Sequence, residues 1–203
     1  MKPQMDKHPL LPAYRKMLDL HTFVGVSAND VIQSSQTSTG NLSPLFWRRV
    51  IVRNFAAHVE GLVYLMKMLC LDLQPVMVFT FTNKERDRLQ EFSEKRNDKG
   101  KVVQKRLLCG FLENFEFTYD CFARVNHSAF KLTFNGGYDC FREMVEIRNR
   151  LMHPKSAADL EVSDSEITNV KQAWDWHQQQ TLLLLQDTLT AFQQYEKRVA
   201  AKL

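Results

Sequence analysis

The side chains that are best suited to acid–base and phosphate chemistry lie together at positions 146–154. Arg148, Asn149 and His153 form the pattern Arg-Asn-x-x-x-His, and Pro154 comes next. An arginine binds phosphate oxygens through its planar fork of donors, and a histidine accepts and donates protons near neutral pH. An arginine and a histidine are together a minimal set of groups for cleaving RNA without a metal ion.

A helix end must position these groups. In an α-helix Asn149 and His153 share a face, whereas Arg148 is displaced from His153 by roughly 140° at 3.6 residues per turn. The length of the arginine spans part of that gap, and Pro154 disfavours the α conformation at the residue before it. We therefore expect His153 near the helix C-cap, free to turn toward a cleft, where the helix dipole favours a cation.

Basic residues flank this array. Arg142, Arg150 and Lys155 add positive charge that could hold a nucleic-acid backbone. Glu143 and Glu146 offset part of that charge, so the basic patch is modest. We predict that Arg142, Arg150 and Lys155 bind RNA.

The same pattern occurs earlier in the chain, from Arg53 and Asn54 to His58. This histidine lies in the middle of a predicted helix, between Phe55 and Leu62 on the apolar face. A histidine held within the core, or one that lines a pocket from behind, explains this copy better than catalysis does.

The later copy resembles the motif of the HEPN superfamily (higher eukaryotes and prokaryotes nucleotide-binding domain). That motif has an arginine, a polar residue that is often asparagine, and a histidine after four to six intervening residues. Arg148, Asn149 and His153 match it with four intervening residues, and the preceding Glu-Ile and the following proline are typical of many members. Glu60 resembles an acidic position that members often carry facing the site. The resemblance covers fewer than ten residues, together with the order of the helices.

The resemblance implies a metal-independent endoribonuclease that works as a homodimer, with a composite active site between the motif helices of two subunits. Arg148 and His153 would be catalytic, and Asn149 and Glu60 would support them. It implies no cofactor and no metal ion. A role as a toxin or phage-defence effector, with an antitoxin protein as a further partner, would follow from the family alone.

One departure and two other hypotheses remain. Some related toxins carry a tyrosine two residues after the histidine, where this chain has Lys155, so the chemistry of that subgroup is not transferred. The second hypothesis is a HEPN-like module that binds RNA, a nucleotide or a protein without catalysis. The third is a purely structural helical subunit.

The composition indicates a helical protein. Of the 203 residues, 44% are hydrophobic and 25% are charged, with only 7 glycines and 6 prolines. Few helix breakers and no regular alternation of apolar and polar residues indicate an all-α fold in a single domain over residues 1–203. The net charge of +4 favours an anionic partner only weakly.

Local signals divide the chain into four to five main helices of a bundle. Helix N-terminal signals occur at Ser43 before Pro44, at Thr82 with Glu85, and at Ser163 with Glu166. The main predicted helices cover residues 44–71, 102–117, 137–152 and 164–199, and shorter ones are predicted at 9–20 and after Thr82. Residues 27–43 are predicted as a loop or poorly ordered linker.

The basic segment 95–106 admits two interpretations. It contains six lysine and arginine residues, which could follow RNA phosphates. A solvated charged turn is the interpretation that the sequence favours.

Three further features bear on location. The N-terminus lacks the apolar core of a signal peptide, and no window approaches the length of a membrane span. The four cysteines are widely spaced, which is typical of free thiols in a reducing compartment. We therefore expect a cytoplasmic protein without a membrane partner. The cysteines are Cys70, Cys109, Cys121 and Cys140.

Overall fold

A computed structural model describes residues 11–36, 43–75, 77–96 and 98–200. These residues form six α-helices, one 3₁₀ turn and one antiparallel hairpin, which confirms the all-α class. The elements are α1 (Leu11–Gln36), α2 (Pro44–Leu73), α3 (Asn83–Gln90), β1 (Phe92–Arg96), β2 (Val102–Arg106), α4 (Phe111–Val125), α5 (Gly136–Met152), the 3₁₀ turn (Ala157–Leu160) and α6 (Asp164–Ala200).

Side-chain caps begin three of the helices where the sequence predicts. The Ser43 hydroxyl accepts a hydrogen bond from a backbone N–H in the first turn of α2. At the start of α3, Thr82 and Glu85 form a reciprocal capping box with contacts of 2.8 and 3.3 Å. Ser163 and Glu166 do the same before α6, at 2.8 and 3.2 Å. Each cap satisfies backbone donors that a helix start leaves unpaired.

Helix α2 is the centre of the fold because it contacts each of the other five helices. Its apolar face is buried among large side chains from α4, α5 and α6, and the removal of that area from water is the main stabilising contribution. The fully buried residues at this centre include Phe55, Leu62, Phe115, Phe122 and Phe141.

The predicted linker at residues 27–43 is wrong over its first part, because residues 27–36 continue α1. Small polar residues here bond to carbonyls of their own helix: Ser27 to Phe23, and Ser34 to Val31 at 2.8 Å. Val31 and Ser34 are buried against the rest of the protein, and this packing outweighs the weak helix propensity of the segment. Residues 37–42 lie outside the described residues.

The helix predicted at 102–117 is also wrong in its first half. Residues 102–106 form β2, which pairs antiparallel with β1 so that Phe92 is opposite Arg106. Gly100 takes a φ of +73° in the connecting turn, a conformation that glycine adopts without strain. Helix α4 begins only after Gly110 and continues to Val125.

An ion pair anchors the base of this hairpin to α2. Lys67 is 1% exposed, and its ammonium group lies 2.9 Å from Glu91 Oε1. The backbone N–H of Leu107 donates to the Glu91 carbonyl at 2.8 Å. Because a buried ammonium group must be paired, the hairpin base is fixed relative to α2.

None of the described helices combines the length and the apolar content that crossing a membrane requires.

Candidate functional site

Arg148 is held at the surface by three contacts near the end of α5. It forms an ion pair with Glu60 of α2, and its Nη1 donates to Asn149 Oδ1 at 3.1 Å. Its guanidinium carbon lies 5.7 Å from the centre of the Phe111 ring at the start of α4. The side chain is 21% exposed, so the guanidinium is positioned by its neighbours and still reaches solvent.

A cleft of about 400 Å³ opens beside this arginine, between α2, the start of α4 and the base of the hairpin. Two arginines and two glutamates give it a mixed charge, and the rest of the wall includes tyrosine, phenylalanine, asparagine and cysteine side chains besides two valines of α2. The residues that lend these groups are Val59, Glu60, Val63, Tyr64, Glu91, Arg106, Cys109, Phe111, Asn114, Phe115 and Arg148.

His153 occupies the C-cap of α5, as the sequence predicts. Its φ and ψ of −130° and 57° take the chain out of the helix, and its backbone N–H donates to the Asn149 carbonyl at 3.1 Å. Asn149 therefore contacts Arg148 through its side chain and His153 through its backbone. The His153 side chain is exposed, and among the described residues it is not part of the cleft wall.

Four arginines hold the segment that follows α5, and we call them the arginine clamp. Each donates a hydrogen bond to a backbone carbonyl of that segment or of the last turn of α5. The pairs are Arg48 to Val162 at 2.8 Å, Arg49 to Leu160 at 3.2 Å, Arg53 to Leu151 at 3.3 Å and Arg150 to Glu161 at 2.7 Å. Because His153 begins this segment, the clamp determines where its backbone lies.

Comparison of the chain with protein-family models, with curated proteins and with solved structures found no match. The resemblance to the HEPN motif therefore stays a prediction that depends on the residues themselves.

The three arginine and lysine residues predicted to bind RNA differ in their surroundings. Arg150 belongs to the arginine clamp and also pairs with Glu166 at 3.0 Å, so its charge is already engaged. Arg142 is exposed, with Asp139 4.0 Å away. Lys155 is exposed, and its backbone N–H donates to Asp159 at 2.7 Å. Arg142 and Lys155 have side chains that an anion can reach at the surface.

The earlier copy of the motif has a different environment. His58 is 2% exposed, and its Nδ1 lies 2.7 Å from the hydroxyl of Ser27. That hydroxyl has one proton, which it donates to the Phe23 carbonyl, so His58 must donate from Nδ1 to Ser27. Burial lowers the pKa of His58 to about 4. The structure thus places His58 in the core, as the sequence favours.

His177 of α6 lies beside it, with ring centres 5.3 Å apart. Thr181 donates to the His177 carbonyl, so Tyr119 donates to Thr181 at 2.7 Å and accepts from His177 Nε2 at 3.3 Å. The remaining ring nitrogens, Nε2 of His58 and Nδ1 of His177, are therefore both acceptors, and both are buried without a partner among the described residues. Burial is the main cause that lowers the pKa of His177, and the charge of His58 is the smaller one.

Sequence reasoning missed much of the cleft wall. Tyr64 could have been predicted from the sequence, because it lies one turn after Glu60 on the same helix face. Arg106 and Cys109 reach the cleft only because the hairpin folds back on α2, and no local signal shows that. Within the described part of the chain, no group of three or more histidine, cysteine or acidic side chains could hold a metal ion.

Proposed function

We propose that this chain is a metal-independent endoribonuclease of the HEPN type, acting in the cytoplasm, whose active site is completed by a second copy of the chain. The observation that carries the proposal is the end of α5. There an arginine held by Glu60 and Asn149 and an exposed histidine reach the surface five positions apart in the sequence. Neither side chain is enclosed in the core, in contrast to His58.

The chemistry needs only these two groups. The imidazole of His153 takes the proton from a ribose 2′-OH, and the 2′-oxygen bonds to the adjacent phosphorus while the bond to the 5′-oxygen breaks. Arg148 stabilises the negative charge that builds on the phosphoryl oxygens. The leaving 5′-oxygen takes a proton from water or from the second His153 of the dimer. The products are a 2′,3′-cyclic phosphate and a 5′-hydroxyl.

A dimer is part of the proposal because His153 lies outside the cleft that contains Arg148. A second subunit would place its own histidine over that cleft. Exposed apolar side chains beside the site support such a contact: Met152 precedes His153, and Leu108, which precedes Cys109 of the cleft wall, is 88% exposed. A role as a toxin or phage-defence effector, restrained by an antitoxin protein, belongs to the same proposal.

The test is RNA cleavage at neutral pH in the presence of EDTA. We expect the purified chain to cut single-stranded RNA and to leave 2′,3′-cyclic phosphate ends, and to leave a 2′-deoxy substrate intact because DNA lacks the attacking hydroxyl. His153→Ala should lower the rate by roughly 100-fold or more. His21→Ala, which removes an exposed histidine of α1, is the matched control and should keep full activity.

The second candidate is a HEPN-like module that binds RNA, a nucleotide or a protein without cutting RNA. The ion pair favours it, because Glu60 already neutralises the charge of Arg148 in a single chain. RNA binding without cleavage, in a preparation that is dimeric by light scattering, would establish this candidate in place of the first.

A further inference from the structure

The hairpin formed by β1 and β2 is the most basic segment of the chain. Residues 95–106 contain six lysine and arginine residues and a single acidic one. Every residue of β2 is exposed, including Lys105 and Arg106 at its end. Lys105 and Arg106 are neighbours in this exposed strand, and an anionic partner would relieve the repulsion between their charges.

The hairpin leads to the cleft that contains Arg148. Arg106, the last residue of β2, lines that cleft, and its guanidinium is 3.9 Å from Glu91 at the hairpin base. Lys105 points to the opposite face of the ribbon, by strand alternation. The two strands are only about 5 Å apart, so long side chains from both faces can reach one polyanion that follows the edge of β2.

We propose that this hairpin is a guide for single-stranded RNA, in which Lys105 and Arg106 bind backbone phosphates and Tyr64 stacks on a base in the cleft. The identity of the ligand rests on the proposed function. Tyr64 is the observation that favours RNA over another polyanion. Its ring is 57% exposed and lines the same cleft as Arg106 and Arg148. An exposed ring beside a basic ribbon matches a chain of alternating phosphates and bases.

Binding is measured by fluorescence anisotropy with a labelled 12-nucleotide RNA, in a His153→Ala background that prevents cleavage. Each phosphate contact contributes about −0.7 to the slope of log K against log salt for single strands. The double variant K105Q/R106Q should therefore reduce that slope by about 1.4 and weaken binding on the order of 25-fold at 0.1 M salt. The matched control is K131Q/K171Q, which removes the same charge from exposed positions in the α4–α5 connection and in α6.

A second pair of variants tests the stacking contact. Tyr64→Leu should weaken RNA binding roughly fivefold or more, because a stacked base is lost. Phe134→Leu removes an aromatic ring that is 63% exposed at another position and should leave the affinity unchanged. Thermal unfolding of each variant shows whether the fold is retained.

Equal weakening by K105Q/R106Q and K131Q/K171Q would overturn the proposal, because the effect would then depend on net charge alone. Hairpin-dependent binding to vesicles of anionic phospholipid, without RNA binding, would overturn it in favour of a lipid surface. The experiments distinguish failure of the hairpin proposal from failure of the nuclease proposal. Cleavage by the wild type with unaltered affinity in K105Q/R106Q rejects the hairpin alone, and hairpin-dependent binding without cleavage rejects catalysis alone.

Discussion

Acidification from pH 7 to pH 5 should destabilise this fold through the two histidines at its centre. His58 and His177 are both neutral in the folded state. In each, one ring nitrogen is bonded as a donor, and the other is a buried acceptor that has no partner in the part of the chain that the structure describes. Protonation of either ring would place a charge among aromatic side chains, and the desolvation of that charge is the main reason that both pKa values are lowered.

The sign and the size follow from the difference in proton binding. An unfolded histidine has a pKa near 6.5, whereas that of folded His58 is about 4. Below pH 6.5 the unfolded state binds the proton and the folded state does not, so stability is complete above this pH and is lost as the pH falls toward 4. At pH 5 the loss is about 2 kcal/mol for His58. His177, whose pKa burial also lowers, adds to that loss in the same direction.

Urea unfolding at pH 7 and pH 5 measures this loss. The variant His58→Asn keeps a donor that can reach Ser27 but cannot titrate, so the difference in stability between the two pH values should be about 2 kcal/mol smaller than in the wild type. His21→Asn removes an exposed histidine of α1 and should keep the wild-type difference. Carboxylates with lowered pKa values, such as Glu85, titrate below this window and do not obscure it.

The comparison of pH 7 with pH 5 is insensitive to the general cost of a core substitution, because that cost enters at both pH values. If His58→Asn shows the same loss between pH 7 and pH 5 as the wild type, the buried imidazole is not the titrating group. If the wild type is equally stable at both pH values, the folded protein takes up the proton without penalty and the reasoning from burial is refuted.

Three further predictions follow from contacts of the site and the core. Glu60→Gln removes the partner of the motif arginine and should tighten RNA binding up to about fivefold, whereas unchanged affinity by anisotropy would show that the pair does not compete with phosphate. Gly137→Ala places a Cβ 2.6 Å from Trp176 Cβ and should cost about 1–3 kcal/mol in urea unfolding; a neutral result would mean that Trp176 shifts freely. Arg150→Gln should lower the free energy of unfolding by about 1–2 kcal/mol. If the variant instead binds RNA more weakly and is as stable as the wild type, its place in the clamp is contradicted.

The helix starts were predictable because their signals are local. Ser43, Thr82 and Ser163 bond to backbone groups two or three residues away, and Glu85 and Glu166 complete two of the caps within the same turn. Everything that these interactions need is contained in four successive residues. The end of α5 at His153 was predictable for the same reason, from the proline that follows it.

The two errors in the fold have a common physical cause. The second half of α1 is helical because it packs on α2, where Ser27 contacts His58 across 31 positions of sequence. The hairpin is fixed at its base because Glu91 meets the buried ammonium of Lys67, 24 positions away. Tertiary contacts of this kind override local propensity, and no window of neighbouring residues reports them.

The candidate site was predictable in part. The resemblance pointed to an acidic residue at Glu60 facing the motif, and the structure brings Glu60 and Arg148 together although 88 positions separate them. The cleft beside them was not predictable, because Arg106 and Cys109 enter it from β2 and the segment after it, which the sequence predicts as the first half of a helix. The half of the site that lies on helices α2 and α5 could therefore be predicted from the sequence. The half that β2 and the segment after it supply could not.

The two copies of Arg-Asn-x-x-x-His show why spacing alone does not define a site. In the first copy the helix continues past His58, which turns the imidazole into the core, where it stays neutral. In the second the helix ends at His153, and the imidazole is left in water at the edge of the protein. The first copy of the pattern also contacts the second, because Arg53 donates a hydrogen bond to the Leu151 carbonyl in the last turn of α5. What separates a structural array from a candidate active site is thus the place where the helix stops, and here that place is set by a proline and by the arginines of α2 and α5 that hold the chain after it.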